Sequence, residues 1–218
     1  MKIGINKAHF PVSVLGPGKR IGIWLQGCSI GCKGCVSQDT WKPDPGRDMT
    51  VAQLLDWCRI TSAGIFDGVT ISGGEPFDQP AALSALLDGL IQWRSDSKLE
   101  FDILSYSGYP LLTLQKKHAK ILAKLDALIP EPYIDAKPLT HIWRGSANQT
   151  LELLSERGRN RFTSYLNTTA DDTNKRIQIM LDGDQVWYVG IPARGDMAAL
   201  ESTCNTRGVE LTQVSWRS

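Results

Sequence analysis

Residues 21–35 read IGIWLQGCSIGCKGC. The first six form a short apolar run that reads as a strand, and it runs straight into three cysteines, Cys28, Cys32 and Cys35, at C-x3-C-x2-C spacing. Working outward, residues 51–60 predict a short helix begun by Thr50 as cap, and residues 68–72 (GVTIS) a second strand that ends in Gly73 and Gly74. After a turn with two prolines, residues 81–93 carry Leu83, Leu86, Leu87 and Leu90 at helical spacing. Residues 99–106 predict a third strand, residues 111–125 a helix with lysines opposite its apolar positions, and residues 126–129 a short apolar strand. Strands alternating with helices mean parallel β in an α/β fold.

The last third differs in character. Residues 144–176 are polar and Arg-rich, while residues 177–181 and 185–191 flank Asp182-Gly183-Asp184 and read as a β-hairpin. A helix over 197–205 precedes a strand-like VELTQVSW at 209–216.

Composition bounds the function. The 218 residues hold 24 Lys and Arg against 23 Asp and Glu, a net charge of +1, which argues against a protein devoted to coating nucleic acid or anionic membrane. At 42% hydrophobic the chain can bury a substantial core without staples. The opening MKIGINKAHF lacks the pattern of a secretory signal and no apolar run is long enough to span a membrane, so the expectation is a soluble, cytoplasmic protein. Five cysteines, three of them within eight residues, make a metal or redox site rather than a disulfide framework.

A short loop can wrap three thiolates around one inorganic cluster. Iron–sulfur clusters usually take four cysteines, so three ligands would leave one iron open for a substrate or cofactor. Two other readings fit the spacing: a Cys32–Cys35 redox pair, or structural zinc held by the three cysteines and a histidine such as His9. A second motif, Ser72-Gly73-Gly74-Glu75-Pro76, follows a strand, where ligand sites form at the carboxyl ends of parallel β. Its glycines let the backbone approach a ligand and hold an amino acid's ammonium or carboxylate.

The cysteine triad followed by a strand-end Gly-Gly-Glu-Pro resembles the radical S-adenosylmethionine (SAM) superfamily. GPGKRIGIWLQGC at 16–28, Gly34, Thr40-Trp41, Tyr106-Ser107-Gly108-Tyr109 and WRGSANQ at 143–149 narrow the likeness to the activating enzymes of anaerobic ribonucleotide reductase, over about residues 3–150. The resemblance implies that Cys28, Cys32 and Cys35 ligate a [4Fe-4S] cluster, that SAM chelates the open iron, and that Gly73, Gly74 and Glu75 line its methionine part. It also implies a 5'-deoxyadenosyl radical that abstracts a glycine hydrogen from a large reductase subunit, and an electron donor such as flavodoxin or ferredoxin. Two features depart from that pattern. Pro130-Glu131-Pro132-Tyr133 stands where such activators read Asp-Gly-Pro-Phe or Asp-Gly-Pro-Tyr, and residues 151–218 extend beyond the shortest activators, as a docking surface or a lid.

Other residues carry two readings each. Arg144 and Asn148 suit a grip on a carboxylate or a partner loop, or a structural turn. Ser105 and Ser107, at a strand end, face SAM or are ordinary polar residues. His118 reads as solvated, Asp126 as a turn or cap residue or as one that orders a neighbouring basic group, Cys58, Trp57 and Trp93 as core, and Cys204 as no part of a second metal site.

The resulting expectation is a partial, open (β/α)6 barrel, TIM-like, in residues 1–150, with an α+β extension over 151–218 packed on it. The function expected is cluster-dependent SAM cleavage that installs a glycyl radical on anaerobic ribonucleotide reductase. The alternatives are a radical SAM enzyme acting on a peptide or small molecule, and a non-catalytic metal-binding docking module.

Overall fold

A computed structural model describes residues 1–171, 177–182, 185–212 and 214–216. In chain order it contains strands β1 (Lys2–Val12), β2 (Arg20–Leu25) and β3 (Asp48–Thr50), helix α1 (Val51–Ser62), strand β4 (Gly68–Gly73), helix α2 (Pro80–Ser97) and strand β5 (Asp102–Tyr106). Helices α3 (Leu111–Lys117) and α4 (Ala119–Leu122) then lead to strands β6 (Ala127–Ile129) and β7 (Glu152–Leu153) and helix α5 (Glu156–Phe162). Strands β8 (Ile177–Asp182) and β9 (Gln185–Gly190) and helix α6 (Asp196–Thr206) complete it.

One seven-stranded sheet runs β3-β1-β2-β4-β5-β6-β7, and β8 and β9 form a separate antiparallel pair. Strands β2, β4, β5 and β6 are mutually parallel, while β1, β3 and β7 are antiparallel to their neighbours. The sheet is therefore mixed and open, with four parallel strands in place of the six expected units. The alternation in sequence reports only strands joined by helical crossovers. Strand β1 went unpredicted because KIGINKAHFPV interleaves Asn, Lys and His with its apolar residues, and its outer half is only half-buried.

Strand β2 is buried along its whole length, and its two faces do different work. Ile21, Ile23 and Leu25 join Val69, Ile71, Ile103 and Leu128 under the helices, against Leu54, Leu83, Leu86 and Leu90. Trp24 packs on the opposite face with Val12, Val14, Leu15 and Val189, and Arg20 meets Thr70 and Asp102. Phe162 of α5 covers that second face beside Leu104, Ala127 and Ile129.

The predicted elements hold, with corrections at their edges. Helix α1 starts on a capping box: Gln53 N–H donates to Thr50 Oγ1 at 3.1 Å and Thr50 N–H to Gln53 Oε1 at 2.9 Å. The helix expected over 111–125 is broken at His118, whose backbone (φ −131°, ψ 25°) ends α3 and starts α4. His118 is half-buried, not solvated, with its ring 5.4 Å from that of Phe77.

Asp126 does more than cap. It pairs with Arg94 at 2.8 Å, accepts from Ile103 N–H at 2.9 Å and receives the Ser155 hydroxyl at 2.6 Å. Cys58 and Trp93 are core, as expected. The hairpin and final helix form, while Gly183 and Asp184 of the expected turn lie outside the described residues. The segment expected as a strand over 209–216 is not one: its described residues are irregular and end in a turn. None of the described helices is long and apolar enough to cross a membrane.

Candidate cofactor site

Where β2 ends, the chain leaves the sheet in a loop closed at its base. Gly27 N–H donates to Thr40 O at 2.7 Å and Cys28 N–H to Trp41 O at 3.0 Å. Gln26 pins the same base, donating to Asp39 O at 3.1 Å and Lys42 O at 2.6 Å. Asp78 holds the loop's inner end: it accepts from Ser29 N–H at 2.7 Å, Ser29 Oγ at 3.0 Å and Tyr109 OH at 2.7 Å.

The strand-end glycine turn is stitched to the root of that loop. Gly74 N–H donates to Leu25 O and Glu75 N–H to Gly27 O, each at 2.8 Å. Gly73 adopts φ +101°, and a Cβ on Gly74 would collide with the Gly27 carbonyl. Gly74→Ala is therefore expected to push the two motifs apart and lower stability by about 1–3 kcal/mol, checked by urea unfolding of the apo chain.

A cavity of ≈ 190 Å³ opens beside this turn, lined by Cys28, Cys32 and Cys35 and by Ser72, Gly73, Gly74, Glu75 and Ser107. Glu75 is 1% exposed and is a brace. It accepts from Phe77 N–H at 3.0 Å, Ser107 Oγ at 2.8 Å and Gly108 N–H at 2.7 Å, tying the glycine turn to the YSGY turn.

Burial pushes the Glu75 carboxyl up to about 7, against the opposing pull of its three donors. Its folded value lies above the unfolded one, so the folded chain holds a proton that the unfolded chain releases. The stabilising contribution is full below about pH 4.5 and is lost as pH rises to about 7, in total roughly 3–4 kcal/mol. Urea unfolding of the apo chain from pH 5 to 8 should show this decline, and Glu75→Gln should remove it.

Of the residues singled out from sequence, Ser105, Arg144 and Asn148 are not brought to the cavity. Ser105 is fully buried and donates to Tyr106 O at 3.1 Å. Arg144 is 6% exposed and donates to Leu166 O at 2.8 Å, and Asn148 donates to Pro132 O at 2.8 Å. Their neighbours Gly145 and Gln149 line the cavity instead. Gln149 links Gly145 N–H (2.7 Å) to Glu131 O (2.9 Å), and only its place in the WRGSANQ motif pointed to it.

Glu131 and Tyr133 also face the cavity. Glu131 holds φ +81°, a backbone state that favours glycine, and its Oε1 accepts the Leu111 N–H at 3.1 Å at the start of α3. His9 pairs with Gly22 in β1 and does not line the cavity.

The thiols fit an iron–sulfur cluster. All five cysteines are free, and Cys28, Cys32 and Cys35 share one cavity wall. Burial is the first cause that pushes Cys32 and Cys35 up and neighbouring thiols add to it, against hydrogen bonds that pull the other way. Their thiolates call for a cation from outside the chain. Among the described residues no group of three His, Cys, Asp or Glu is arranged around a single metal ion.

Three free thiols and a strand-end glycine turn on one cavity of an open α/β sheet are the layout of an iron–sulfur enzyme. A family profile described as "4Fe-4S single cluster domain" matches residues 14–152. The anaerobic ribonucleoside-triphosphate reductase-activating protein of Vibrio cholerae serotype O1 is 34% identical over 152 residues, 66% of this chain and 94% of that protein. Its counterpart from Enterobacteria phage T4 is 30% identical over 138 residues, 63% of this chain and 86% of that protein. Escherichia coli QueE overlays at a TM-score of 0.44 with 18% identity, covering 97% of this chain and 93% of that one, a likeness too loose to carry an argument.

The chain belongs to the 4Fe-4S single cluster domain family and, within it, to the activating proteins of anaerobic ribonucleoside-triphosphate reductase. It is an activating enzyme of that family, and its cofactor is a [4Fe-4S] cluster.

Proposed function

We propose that the chain cleaves SAM reductively and installs a glycyl radical on the large subunit of an anaerobic ribonucleotide reductase. The observation that carries this is the meeting of three free thiols and the Gly73-Gly74-Glu75 turn on one cavity. When bound, the cluster and SAM supply one-electron cleavage of the sulfonium to methionine and a 5'-deoxyadenosyl radical.

The chain's own residues have separable tasks. Cys28, Cys32 and Cys35 would hold the [4Fe-4S] cluster as three thiolate ligands. The backbone of Ser72, Gly73 and Gly74 would hold the amino-acid end of SAM, and Glu75 positions that backbone through Ser107 and Gly108. Trp24, Tyr106 and Ile191 contribute an apolar wall that limits water near a reactive carbon radical. Ser105, Arg144 and Asn148 act behind the cavity surface, through the segments they fasten.

In the same reading the open sheet is a partial (β/α) barrel. Residues 1–150 are the radical SAM domain and residues 151–218 an extension packed on it, working in the cytoplasm with a flavodoxin- or ferredoxin-type donor. The extension and Glu131, both at the cavity, favour a second reading in which the hydrogen donor is a peptide or small molecule.

One experiment separates the two: 5'-deoxyadenosine formation by reconstituted, reduced protein with and without the candidate reductase. A glycyl radical signal on the reductase supports activation. Deoxyadenosine without that signal overturns activation and leaves the cleavage chemistry standing.

A further inference from the structure

The segment matched by the family profile stops at residue 152, yet two later pieces of the chain meet the cofactor site. Gly190 at the end of β9, followed by Ile191 and Pro192, lines the same cavity as the three cysteines. The hairpin is seated by Val189, 2% exposed, among Val12, Val14, Leu15 and Trp24. Gln178 fastens it to the edge of β1: its Oε1 accepts Ser13 N–H at 3.0 Å, and its Nε2 donates to Pro11 O at 2.7 Å.

The second piece lies on the cysteine loop itself. Gln38 N–H donates to Ser215 O at 2.8 Å, Gln38 Nε2 to Trp216 O at 3.1 Å, and Ser215 Oγ to Val36 O at 2.8 Å. Trp216 is anchored in turn by its indole N–H to Glu201 of α6 and by an edge-to-face contact with Tyr188 at 5.9 Å. Val36 and Gln38 flank Ser37, whose N–H points at Cys35 Sγ from 3.4 Å. The tail thus holds both sides of a residue that donates to this sulfur, the Trp41 side chain being a second donor.

Hydrogen bonds to cluster sulfurs stabilise the more negative, reduced state and raise the potential. We propose that Ser215 and Trp216 are positioning residues which, through Val36 and Gln38, fix the Ser37 N–H against the Cys35 sulfur and so set the reduction potential of the cluster. The inference rests on the reading of Cys35 as a cluster ligand. It gives the extension a task beyond bulk: it tunes, from the far end of the chain, a site whose ligands all lie within residues 28–35.

Two readouts on the full chain test this. In the apo protein, hydrogen exchange over residues 36–41 should quicken about tenfold in Trp216→Ala, because loss of the indole anchor on Glu201 and Tyr188 frees the tail and with it the Ser215 carbonyl that accepts the Gln38 N–H. In the reconstituted protein, the same change should move the cluster's midpoint potential to a more negative value and alter the line shape of its reduced-state EPR signal. Trp216→Phe, which keeps an aromatic ring on Tyr188, should restore both in large part. Ser215→Ala is the milder variant if Trp216→Ala does not fold.

Faster exchange with an unmoved potential overturns the tuning role. Unchanged exchange in folded Trp216→Ala and Ser215→Ala overturns the clamp itself. Failure of the wild type to hold iron would overturn the ligand reading instead, and the apo exchange data would still decide whether the clamp exists.

Discussion

Asp102→Ala should lower the unfolding free energy by about 3–5 kcal/mol, the largest stability loss expected from any single change in this chain. Arg20 and Asp102 are both fully buried, on β2 and β5, on the sheet face away from the covering helices. The guanidinium spends every donor: Nε on Thr70 Oγ1 at 2.6 Å, Nη1 on Pro17 O at 3.2 Å and Asp102 Oδ2 at 3.1 Å, and Nη2 on Val69 O at 2.9 Å and Asp102 Oδ1. Phe162 closes the site with its ring 5.8 Å from the guanidinium carbon.

Removing the carboxylate strands a cation in this enclosure. Arg161, 3.5 Å from Asp102, carries the same sign as Arg20 and cannot take the carboxylate's place. Urea unfolding at constant m-value measures the loss. A change below about 1 kcal/mol, the value of a surface pair, would show that water reaches Arg20 and that the pair is not the keystone of the sheet.

Cys28→Ala, Cys32→Ala and Cys35→Ala should each abolish 5'-deoxyadenosine formation, whereas Cys58→Ala and Cys204→Ala should leave it intact. Loss of an outer-shell partner of a metal site commonly costs 10–100-fold, so loss of a ligand should exceed about 100-fold. The two control cysteines make the test specific. Cys58 is fully buried in the core, its thiol pushed up to about 12 by burial, and Cys204 lies on α6 away from the cavity. Cleavage retained by any variant of the first three, measured with its iron content, would remove that residue from the ligand set.

The legible parts of this fold are those in which one local pattern decides. GVTIS and IGIWLQ are apolar runs bounded by glycine, and the leucines of α2 repeat at helical spacing, so strands and crossovers could be read directly. The three cysteines and the glycine turn were legible for the same reason: each is a contiguous motif at a strand end. Arg20 and Asp102 were not, because 82 positions separate them and neither carries a local sign of its partner.

Glu131 shows a different limit. Sequence marked it as a departure from the expected Asp-Gly, but only backbone angles show that it keeps the left-handed state with a side chain attached. Ser105 failed in the opposite sense. Strand ends do line the site, yet it is Ser107, just past the end of β5, that reaches Glu75, while Ser105 lies within the strand and is fully enclosed. The strand expected over 209–216 was an apolar pattern whose hydrogen bonds go to the cysteine loop, a destination that no periodicity encodes.

The bond from Ser215 to Val36 spans 179 positions. A ribosome adding 5–20 residues per second needs roughly 10–35 s to travel that distance. For that interval the emerging polypeptide shows its three thiols in a loop that nothing from the far end yet holds. Iron and sulfide arriving in that interval would meet a looser loop than the finished chain presents.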